Sequence, residues 1–175
     1  MPNPFLEKLF ALDGRVAVVT GGTRGIGQAM AVALAEAGAD IISIQRDESN
    51  LETKKQVEAL GRKATVYTCD LSCQEAVEKL AGRVLGDGHD VSILVTCGGI
   101  QRRHPAHVFP IYHTPDMNEA LLKDEARAAS ILARIPAGRW GNADDFKGVT
   151  VFLAGRGSLY VSGEVLTVDG GWMGR

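Results

Sequence analysis

Short apolar runs alternate with longer segments of helical periodicity through the first hundred residues. The runs are rich in β-branched residues and end in glycine or polar residues, as buried parallel strands do. The predicted strands are Arg15–Gly22, Ala39–Gln45, residues 63–71 and Asp90–Gly99, and the predicted helices are Gly25–Ala37, Ser49–Leu60 and residues 73–85. Strand and helix repeat every 25 to 30 residues or so, about the size of a βαβ unit. The pattern predicts an α/β fold with a doubly wound parallel sheet and helices on both faces.

The second part of the chain is less regular. It predicts a helix at Asn118–Arg134, an N-capped helix that begins near Asn142, and a last strand at Gly163–Gly171. Residues near 104–116 join the fourth strand directly to a helix, and we interpret them as an internal junction. The chain of 175 residues has the length of one domain, so we expect residues 1–175 to form a single domain.

Composition excludes several classes of function. The net charge of −2 and the scattered basic residues predict no nucleic-acid partner. No run approaches the roughly 18 apolar residues of a membrane span. The stretch MPNPFLEKLFALDGR has charges within its apolar part and no small-residue cleavage site, so we expect no secretion signal. Three cysteines do not form a disulfide pattern, and a reducing, cytoplasmic location is the expectation.

Histidines and cysteines are the candidate metal ligands. His104, His107 and His113 lie close together in the sequence, and Cys69 and Cys73 are four residues apart. Zinc sites usually show tighter paired spacings with a matching second pair. We therefore predict no metal site and interpret the three histidines as surface residues of a loop.

The first predicted turn carries the strongest chemical signal. Glycines stand at positions 21, 22, 25 and 27, between the first strand and the first helix. Glycines allow the backbone to turn tightly and to approach a pyrophosphate, whose charge then meets the free amides at the helix N-terminus. The strand–turn–helix context makes this pattern typical of a dinucleotide cradle in a Rossmann-type sheet.

Four stretches of the chain together resemble the short-chain dehydrogenase/reductase family. They are Thr20-Gly21-x3-Gly25-Ile26-Gly27, CDLS at 69–72, LVTCGGI at 94–100, and residues 136–172. The resemblance covers residues of about 10 to 103 and 116 to 175. GGIQRR and the closing sequence are most similar to the sugar-acid branch, the 2-deoxy-D-gluconate 3-dehydrogenases and related gluconate dehydrogenases. This resemblance implies an NAD(P)-dependent oxidoreductase acting on a sugar acid or a similar polyol/ketone pair.

The resemblance also implies cofactor-binding residues. Those that would line the pyrophosphate and the nicotinamide side are Gly21, Thr23, Arg24, Ile26 and Gly27. Asp70 would accept a hydrogen bond from the adenine amino group, with Leu71 packed nearby, although Asp70 could also cap the helix that follows. Cys97 replaces an asparagine of the family, and a thiol is a poor substitute for an amide. Backbone contacts of Cys97 and Gly98 to the nicotinamide ribose could remain.

The end of the second strand bears on the choice of cofactor. An acidic side chain there would hold the ribose 2′-hydroxyl and repel a 2′-phosphate. Here Gln45 stands at that place and Arg46 follows, and a guanidinium suits a phosphate. Arg24 could join it, whereas Asp47 could still reach the ribose. The sequence favours NADP and leaves NAD open, as it leaves open that Arg46 is merely solvated.

The expected catalytic residues are missing. The resemblance implies acid–base chemistry by a tyrosine with a lysine four residues later, and a serine on the neighbouring strand. Tyr67, Tyr112 and Tyr160 all lack that lysine. Strands 5 and 6 of the family need about 60 residues, which the junction does not contain. We therefore predict an incomplete sheet, no catalytic residue, and dinucleotide binding without turnover.

Three explanations of the junction remain open at this point. The chain is an internally shortened reductase through deletion, altered splicing or a faulty gene model. Alternatively, the sequence omits a segment that the molecule has, or the chain is a non-catalytic nucleotide-binding or protein-interaction module. The missing segment would leave the fourth strand with an exposed apolar edge. It would also remove most of the interface through which the family forms oligomers.

Overall fold

The computed structural model describes residues 3–99 and 125–174. This part of the chain divides into two compact units. The first unit consists of the described residues up to Gly98 together with Asn142–Val165. The second unit consists of the described residues within 99–141 and 166–175. The expected single domain over residues 1–175 stays a prediction, and the junction near 104–116 lies outside the described residues.

A four-stranded parallel sheet forms the centre of the first unit. Its strands are β1 (Val16–Thr20), β2 (Asp40–Gln45), β3 (Ala64–Thr68) and β4 (Val91–Thr96), in the order β3-β2-β1-β4. All pairings are parallel, so the carboxyl ends of the strands share one edge. The strand order reverses at β1, where open α/β sheets bind ligands between diverging connections. The predicted doubly wound parallel sheet is confirmed.

Helices follow the strands as the periodicity predicts. In chain order they are α1 (Pro4–Phe10), α2 (Gly25–Glu36), α3 (Glu52–Ala59), α4 (Gln74–Gly86), α5 (Glu125–Leu132) and α6 (Lys147–Ala154). Short 3-10 helices lie at Ala143–Phe146, Arg156–Ser158 and Trp172–Gly174. Within residues 3–99 and 125–174, no helix combines the length and apolar character that crossing a membrane requires.

Two apolar layers hold the sheet between its helices. On one face, Val19 of β1 and Leu34 of α2 belong to a cluster that Val57 of α3 completes and against which Ala154 of α6 packs. On the other face, Val84 of α4 packs with Ile42, Ile44 and Tyr67. Leu34 and Val57 have no exposed surface, which shows how completely the first layer is closed. Helices therefore cover both faces, as predicted.

Asn142 caps the helical segment Ala143–Ala154 of the first unit, at the predicted position. Its side chain accepts a hydrogen bond from the Asp145 N–H, and Asp145 Oδ2 accepts one from the Asn142 N–H at 2.8 Å. This reciprocal capping box satisfies amides that a helix N-terminus otherwise leaves unpaired. The 3-10 turn it starts runs directly into α6, which ends before Gly155.

The second unit is held by contacts around its C-terminal residues. The Arg134 guanidinium lies 4.1 Å from the centre of the Trp172 ring, a cation–π contact. The Ala137 N–H donates to the Gly170 carbonyl at 3.0 Å. Asp169 accepts hydrogen bonds from the N–H groups of Gly171 and Met173. Helix α5 covers residues 125–132 of the predicted Asn118–Arg134 helix, which ends in a turn at residues 133–134, and residues 118–124 lie outside the described chain.

The predicted last strand, Gly163–Gly171, is wrong. These residues form no strand, and Val165 is 83% exposed. The stretch has the β-branched residues that favour a strand, but a strand also needs a neighbouring backbone for its N–H and C=O groups. Among the described residues no such neighbour pairs with it.

One long edge of the sheet belongs to β4. Its inner edge pairs with β1, and within the described chain no strand pairs with its outer edge. Leu94 is 66% exposed, whereas Ile93, which points to the opposite face, is buried. In the described part of the chain the outer edge of β4 is thus unpaired and Leu94 beside it is exposed, while the open apolar edge expected from a missing segment stays a prediction.

Replacing Tyr67 with phenylalanine is expected to lower the free energy of unfolding by about 1–2 kcal/mol, because the lost hydrogen bond is to a charged group. The Tyr67 hydroxyl donates to Asp87 Oδ2 at 2.5 Å, while the ring is buried against α4. Urea unfolding measures the change. Tyr160→Phe is the matched control, because the Tyr160 side chain is fully exposed. Equal stability of the two variants would contradict the prediction.

Candidate functional site

The turn between β1 and α2 is packed so closely that its glycines cannot be replaced without moving the backbone. Gly21 has φ +67°, and a Cβ there would lie 2.7 Å from the Gly98 Cα. At Gly27 a Cβ would lie 2.3 Å from the Gly21 carbonyl oxygen. These contacts bring α2 and the end of β4 directly against the turn. Close approach of the backbone therefore explains the glycine pattern, as the sequence predicts.

Helix α2 presents its N-terminus at the carboxyl edge of the sheet. Arg24 is the N-cap residue, and its side chain makes no capping hydrogen bond to the helix. A Cβ on Gly25, with φ +57°, would meet nothing within 4 Å, so open space lies beside the first turn. Unpaired amides and the positive end of the helix dipole favour an anion at such a place. Ile26, at 38% exposure, borders the same turn.

Two polar residues fasten this turn from the following βα connection. Thr53 Oγ1 donates to the Gly22 carbonyl at 2.7 Å and accepts from Gln28 Nε2 at 3.0 Å. Asn50 Nδ2 donates to the Thr23 carbonyl at 3.0 Å. Sequence reasoning missed both residues. A polar residue in the first turn of a helix is ordinary, and only the 4% exposure of Thr53 marks it as a buried tether.

The end of β4 closes the cradle opposite α2. The Gly98 N–H donates to Thr20 Oγ1 at 3.0 Å, which fixes the backbone after Cys97 beside the end of β1. A Cβ on Gly98 would lie 3.1 Å from the Leu71 Cδ1 atom. Cys97 is half-buried, and its carbonyl carbon would lie 2.9 Å from a Cβ on Gly21. The structure therefore brings together Gly21, Leu71, Cys97 and Gly98, which are up to 77 residues apart in sequence.

Gln45, the last residue of β2, is turned into the protein. It is 8% exposed, and its amide nitrogen donates to the Asp47 carbonyl at 2.7 Å and to the Asn50 carbonyl at 3.3 Å. The side chain is thus turned inward and supports the turn after β2. Exposed residues of that turn, Arg46 first among them, are left to face a ligand.

Asp70 holds the turn that precedes α4. Its Oδ1 accepts from the Ser72 N–H at 2.9 Å and from the Ser72 hydroxyl at 2.7 Å. These two hydrogen bonds, with a smaller contribution from Arg46, lower the pKa of Asp70, so the carboxylate is ionised at neutral pH. Helix α4 has Cys73 as its N-cap residue, without a side-chain cap. Asp70 therefore holds the turn before α4 and does not cap the helix itself.

Arg46 lies among acidic groups. Hydrogen bonds from the Ser49 hydroxyl and N–H lower the pKa of Asp47, and the charge of Arg46 lowers it further. Since Arg46 also lowers the pKa of Asp70, its guanidinium lies within electrostatic range of both carboxylates. The positive charge of Arg46 therefore acts on both carboxylates at this edge.

The two described tyrosines have different surroundings. The Tyr67 hydroxyl is bound to Asp87, and this hydrogen bond, with burial, raises the pKa of Tyr67. Tyr160 is fully exposed. Tyr112 lies outside the described residues, as do His104, His107 and His113. Within the described chain, no three metal-ligating side chains lie close enough together to hold an ion.

Comparison with protein families identifies the chain. A family model described as short chain dehydrogenase matches residues 15–117, more than half of the sequence. This chain belongs to the short chain dehydrogenase family. A second family model, described as Enoyl-(Acyl carrier protein) reductase, matches residues 107–173. The predicted membership is confirmed.

Named relatives of this short chain dehydrogenase come from the sugar-acid branch. A 2-dehydro-3-deoxy-D-gluconate 5-dehydrogenase of Pseudoalteromonas atlantica is 33% identical over 254 aligned positions, which cover 97% of this chain and 100% of the relative. The Bacillus subtilis protein of the same name is 32% identical over 253 positions, covering 98% and 99%. These relatives are gluconate-type dehydrogenases, which confirms the predicted branch.

A solved structure agrees with the fold. The crystal structure of a gluconate 5-dehydrogenase from Burkholderia cenocepacia, in complex with NADP and tartrate, superposes with a TM-score of 0.86 at 25% identity. The match covers 97% of this chain and 99% of the other. In the present short chain dehydrogenase, the glycine turn, the end of β4 and the turn after β2 all lie along the carboxyl edge of the sheet. The roles of individual residues in binding stay predictions.

Proposed function

We propose that this short chain dehydrogenase binds a nicotinamide dinucleotide, with NADP preferred over NAD, and that the chain as given does not turn over substrate. The supporting observation is the glycine turn. Gly21 and Gly27 allow three backbone segments to meet at van der Waals distance, while the space beside Gly25 is open in front of the helix N-terminus. Such a site suits a pyrophosphate, because backbone amides and the helix dipole both favour negative charge.

The proposed binding roles follow the carboxyl edge of the sheet. Pyrophosphate and the nicotinamide side would be lined by Gly21, Thr23, Arg24, Ile26 and Gly27. Asp70 would accept from the adenine amino group beside Leu71, and the backbone of Cys97 and Gly98 would contact the nicotinamide ribose. A bound nicotinamide would supply hydride transfer. These residues bind and orient the cofactor and move no proton.

Preference for NADP rests on the turn after β2. Arg46 is exposed, whereas Gln45 is buried and supplies no carboxylate to a ribose 2′-hydroxyl. Asp47 Oδ1 accepts from the Ser49 N–H at 2.9 Å, so this carboxylate is partly engaged within its own turn. A guanidinium beside the ribose favours a 2′-phosphate through charge-assisted hydrogen bonds. The NADP complex of the Burkholderia cenocepacia relative supports the same choice.

We propose that the chain does not turn over substrate because it is shorter than its relatives. The alignment with the Pseudoalteromonas atlantica relative has 254 positions against 175 residues here, which leaves at least 79 positions without a counterpart in this chain. The two family models meet at residues 107–117, next to the junction expected near 104–116. A segment of that size could hold the two βα units with the serine and the tyrosine–lysine pair.

We place the substrate in the gluconate class, and the protein in a reducing, cytoplasmic setting as one domain over residues 1–175. The naming of the relatives as gluconate-type dehydrogenases supports the substrate class. Catalysis would require the segment that carries the acid–base residues. The alternative function, a nucleotide-binding or protein-interaction module, would use the exposed outer edge of β4 to pair with a partner.

The test combines mass, binding and turnover. We expect an intact mass near 18.6 kDa, saturable enhancement of NADPH fluorescence, tighter binding of NADPH than of NADH, and no NADPH consumption above the blank with gluconate-type keto-acids. Consumption by a chain of that mass would contradict the absence of turnover. Missing fluorescence enhancement would contradict cofactor binding. A stable partner complex, together with binding and no consumption, would favour the module.

A further inference from the structure

The turn between β2 and α3 is held by side chains that do not themselves face the open edge of the site. Gln45 is the main one. Its amide nitrogen donates to two carbonyls of the turn, those of Asp47 and Asn50, and Ser43 Oγ lies 3.4 Å from its amide oxygen. Both Ser43 and Gln45 are less than a tenth exposed. The exposed turn is therefore anchored from inside the sheet.

Asn50 links the same turn to the pyrophosphate turn. Its amide nitrogen donates to the Thr23 carbonyl at 3.0 Å, and its amide oxygen accepts from the Glu52 N–H at 3.0 Å, at the start of α3. Thr53, one residue further, holds the Gly22 carbonyl at 2.7 Å. Hydrogen bonds thus run continuously from the core residue Gln45 through the Asn50 backbone and side chain to the glycine turn.

Arg46 lies inside this hydrogen-bonded frame. It directly follows Gln45, and the two carbonyls that Gln45 holds belong to residues on the far side of Arg46. Fixing both flanks of Arg46 limits the directions in which its backbone can present the guanidinium. Preorganisation of a binding group raises affinity mainly by reducing the ordering that binding would otherwise require.

We propose that Gln45 and Asn50 are positioning residues that connect the 2′-phosphate site at Arg46 to the pyrophosphate turn. Gln45 sets the preference for NADP over NAD, and Asn50 sets the affinity for both. The inference rests on the proposed function, because it presupposes that the dinucleotide binds along this edge. Gln45 touches no part of the ribose and acts through the backbone that carries Arg46.

Different patterns of affinity are expected from the two residues. Gln45→Met keeps the size of the side chain and removes both donated hydrogen bonds. It should weaken NADPH binding about tenfold and NADH binding about twofold, since a loss of about 1.4 kcal/mol is tenfold and one hydrogen bond contributes about that much. Asn50→Ala should weaken both cofactors about fivefold, because it frees the turn that they share.

A double-mutant cycle tests the connection between them. Both side chains act on the position of Asn50, so the double variant should lose less NADPH affinity than the product of the single losses. If the two single losses of NADPH affinity multiply in the double variant, the two residues act independently, and that result would contradict the proposed connection. Gln74→Met is the matched control, because Gln74 is exposed on α4 and its amide nitrogen donates to Glu78 Oε1 on the surface of the same helix. It should change neither affinity nor the NADPH/NADH ratio.

The ratio of the two dissociation constants is the deciding measurement. A purely structural effect of Gln45→Met would lower both affinities equally and leave the ratio unchanged, and that result would overturn the inference. Gln45→Glu is the second variant. It places a carboxylate against the carbonyls of Asp47 and Asn50, and it should shift the ratio toward NADH in the same direction. Thermal unfolding of each variant verifies that a folded chain is being compared.

Failure of the proposed function gives a different result. If the unaltered chain shows no NADPH binding, both the proposed function and this inference are wrong. If the unaltered chain binds NADPH and neither Gln45 variant changes the cofactor ratio, only the inference is wrong. Fluorescence titration of the full chain with NADPH and with NADH provides all of these values.

Discussion

Gly27→Ala is expected to abolish most of the NADPH binding, with an affinity loss of about 100-fold or more, and to destabilise the chain by about 1–3 kcal/mol. The added Cβ would lie 2.3 Å from the Gly21 carbonyl oxygen and 2.9 Å from its carbon. Gly21 cannot move away freely, because it is already in contact with the backbone at Gly98. Either α2 or the pyrophosphate turn must therefore shift, and both form the cradle.

Gly82→Ala is a closely matched control for this prediction. Both glycines lie within helices, Gly27 in α2 and Gly82 in α4, but a Cβ on Gly82 would meet nothing within 4 Å. Alanine in an exposed helix interior is favoured over glycine by about 0.5–1 kcal/mol, so Gly82→Ala should stabilise the chain slightly and leave binding unchanged. Fluorescence titration and urea unfolding measure both effects. Wild-type binding by Gly27→Ala would show that the cradle is not used.

Arg46→Glu is expected to lower NADPH affinity about 100-fold and NADH affinity about twofold or less. The substitution would remove the proposed charge-assisted partner of the 2′-phosphate and would replace a charge that favours the ionised forms of Asp47 and Asp70 with a carboxylate. NADH has no 2′-phosphate, so it should be almost indifferent to the change. Titration with each cofactor at low and moderate salt gives the ratio, and the NADPH loss should shrink as salt screens the exposed charges.

Lys55→Glu provides the charge-matched comparison for Arg46→Glu. Lys55 is exposed on α3, the helix that follows the same turn, and its substitution changes the net charge of the chain by the same amount. A specific contact at Arg46 predicts a large NADPH effect there and a small one at Lys55. Equal losses at both positions would mean that NADPH senses only the general charge of this surface.

Much of the fold was predictable because its signals are local. The glycines at 21, 25 and 27 mark the change from a strand to a helix within a dozen residues. Their spacing by itself indicates a tight turn with close backbone approach. The Asn142 cap was also predictable, since its partner Asp145 is three residues away. In each case the interacting groups are neighbours in sequence, so propensity and spacing contain the information.

The candidate site was only partly predictable, because its supports come from distant segments. Gln45 stands at the strand end where an acidic side chain would hold the ribose, but β2 is buried and its last side chain turns inward. Asn50 and Thr53 gave no sequence signal for tethering a turn more than 25 residues earlier. Such contacts depend on the arrangement of β1, β2 and α3 in space.

The sequence alone therefore determined the alternation of strands and helices, the dinucleotide-type turn and the lack of a tyrosine–lysine pair, since these are properties of spacing. Only the tertiary structure decided that residues 163–171 form no strand, because pairing needs a neighbouring backbone that composition cannot supply. It also decided which side chains hold the edge around Arg46. Hydrogen bonds between residues far apart in sequence exist only once the sheet has brought their carboxyl ends together.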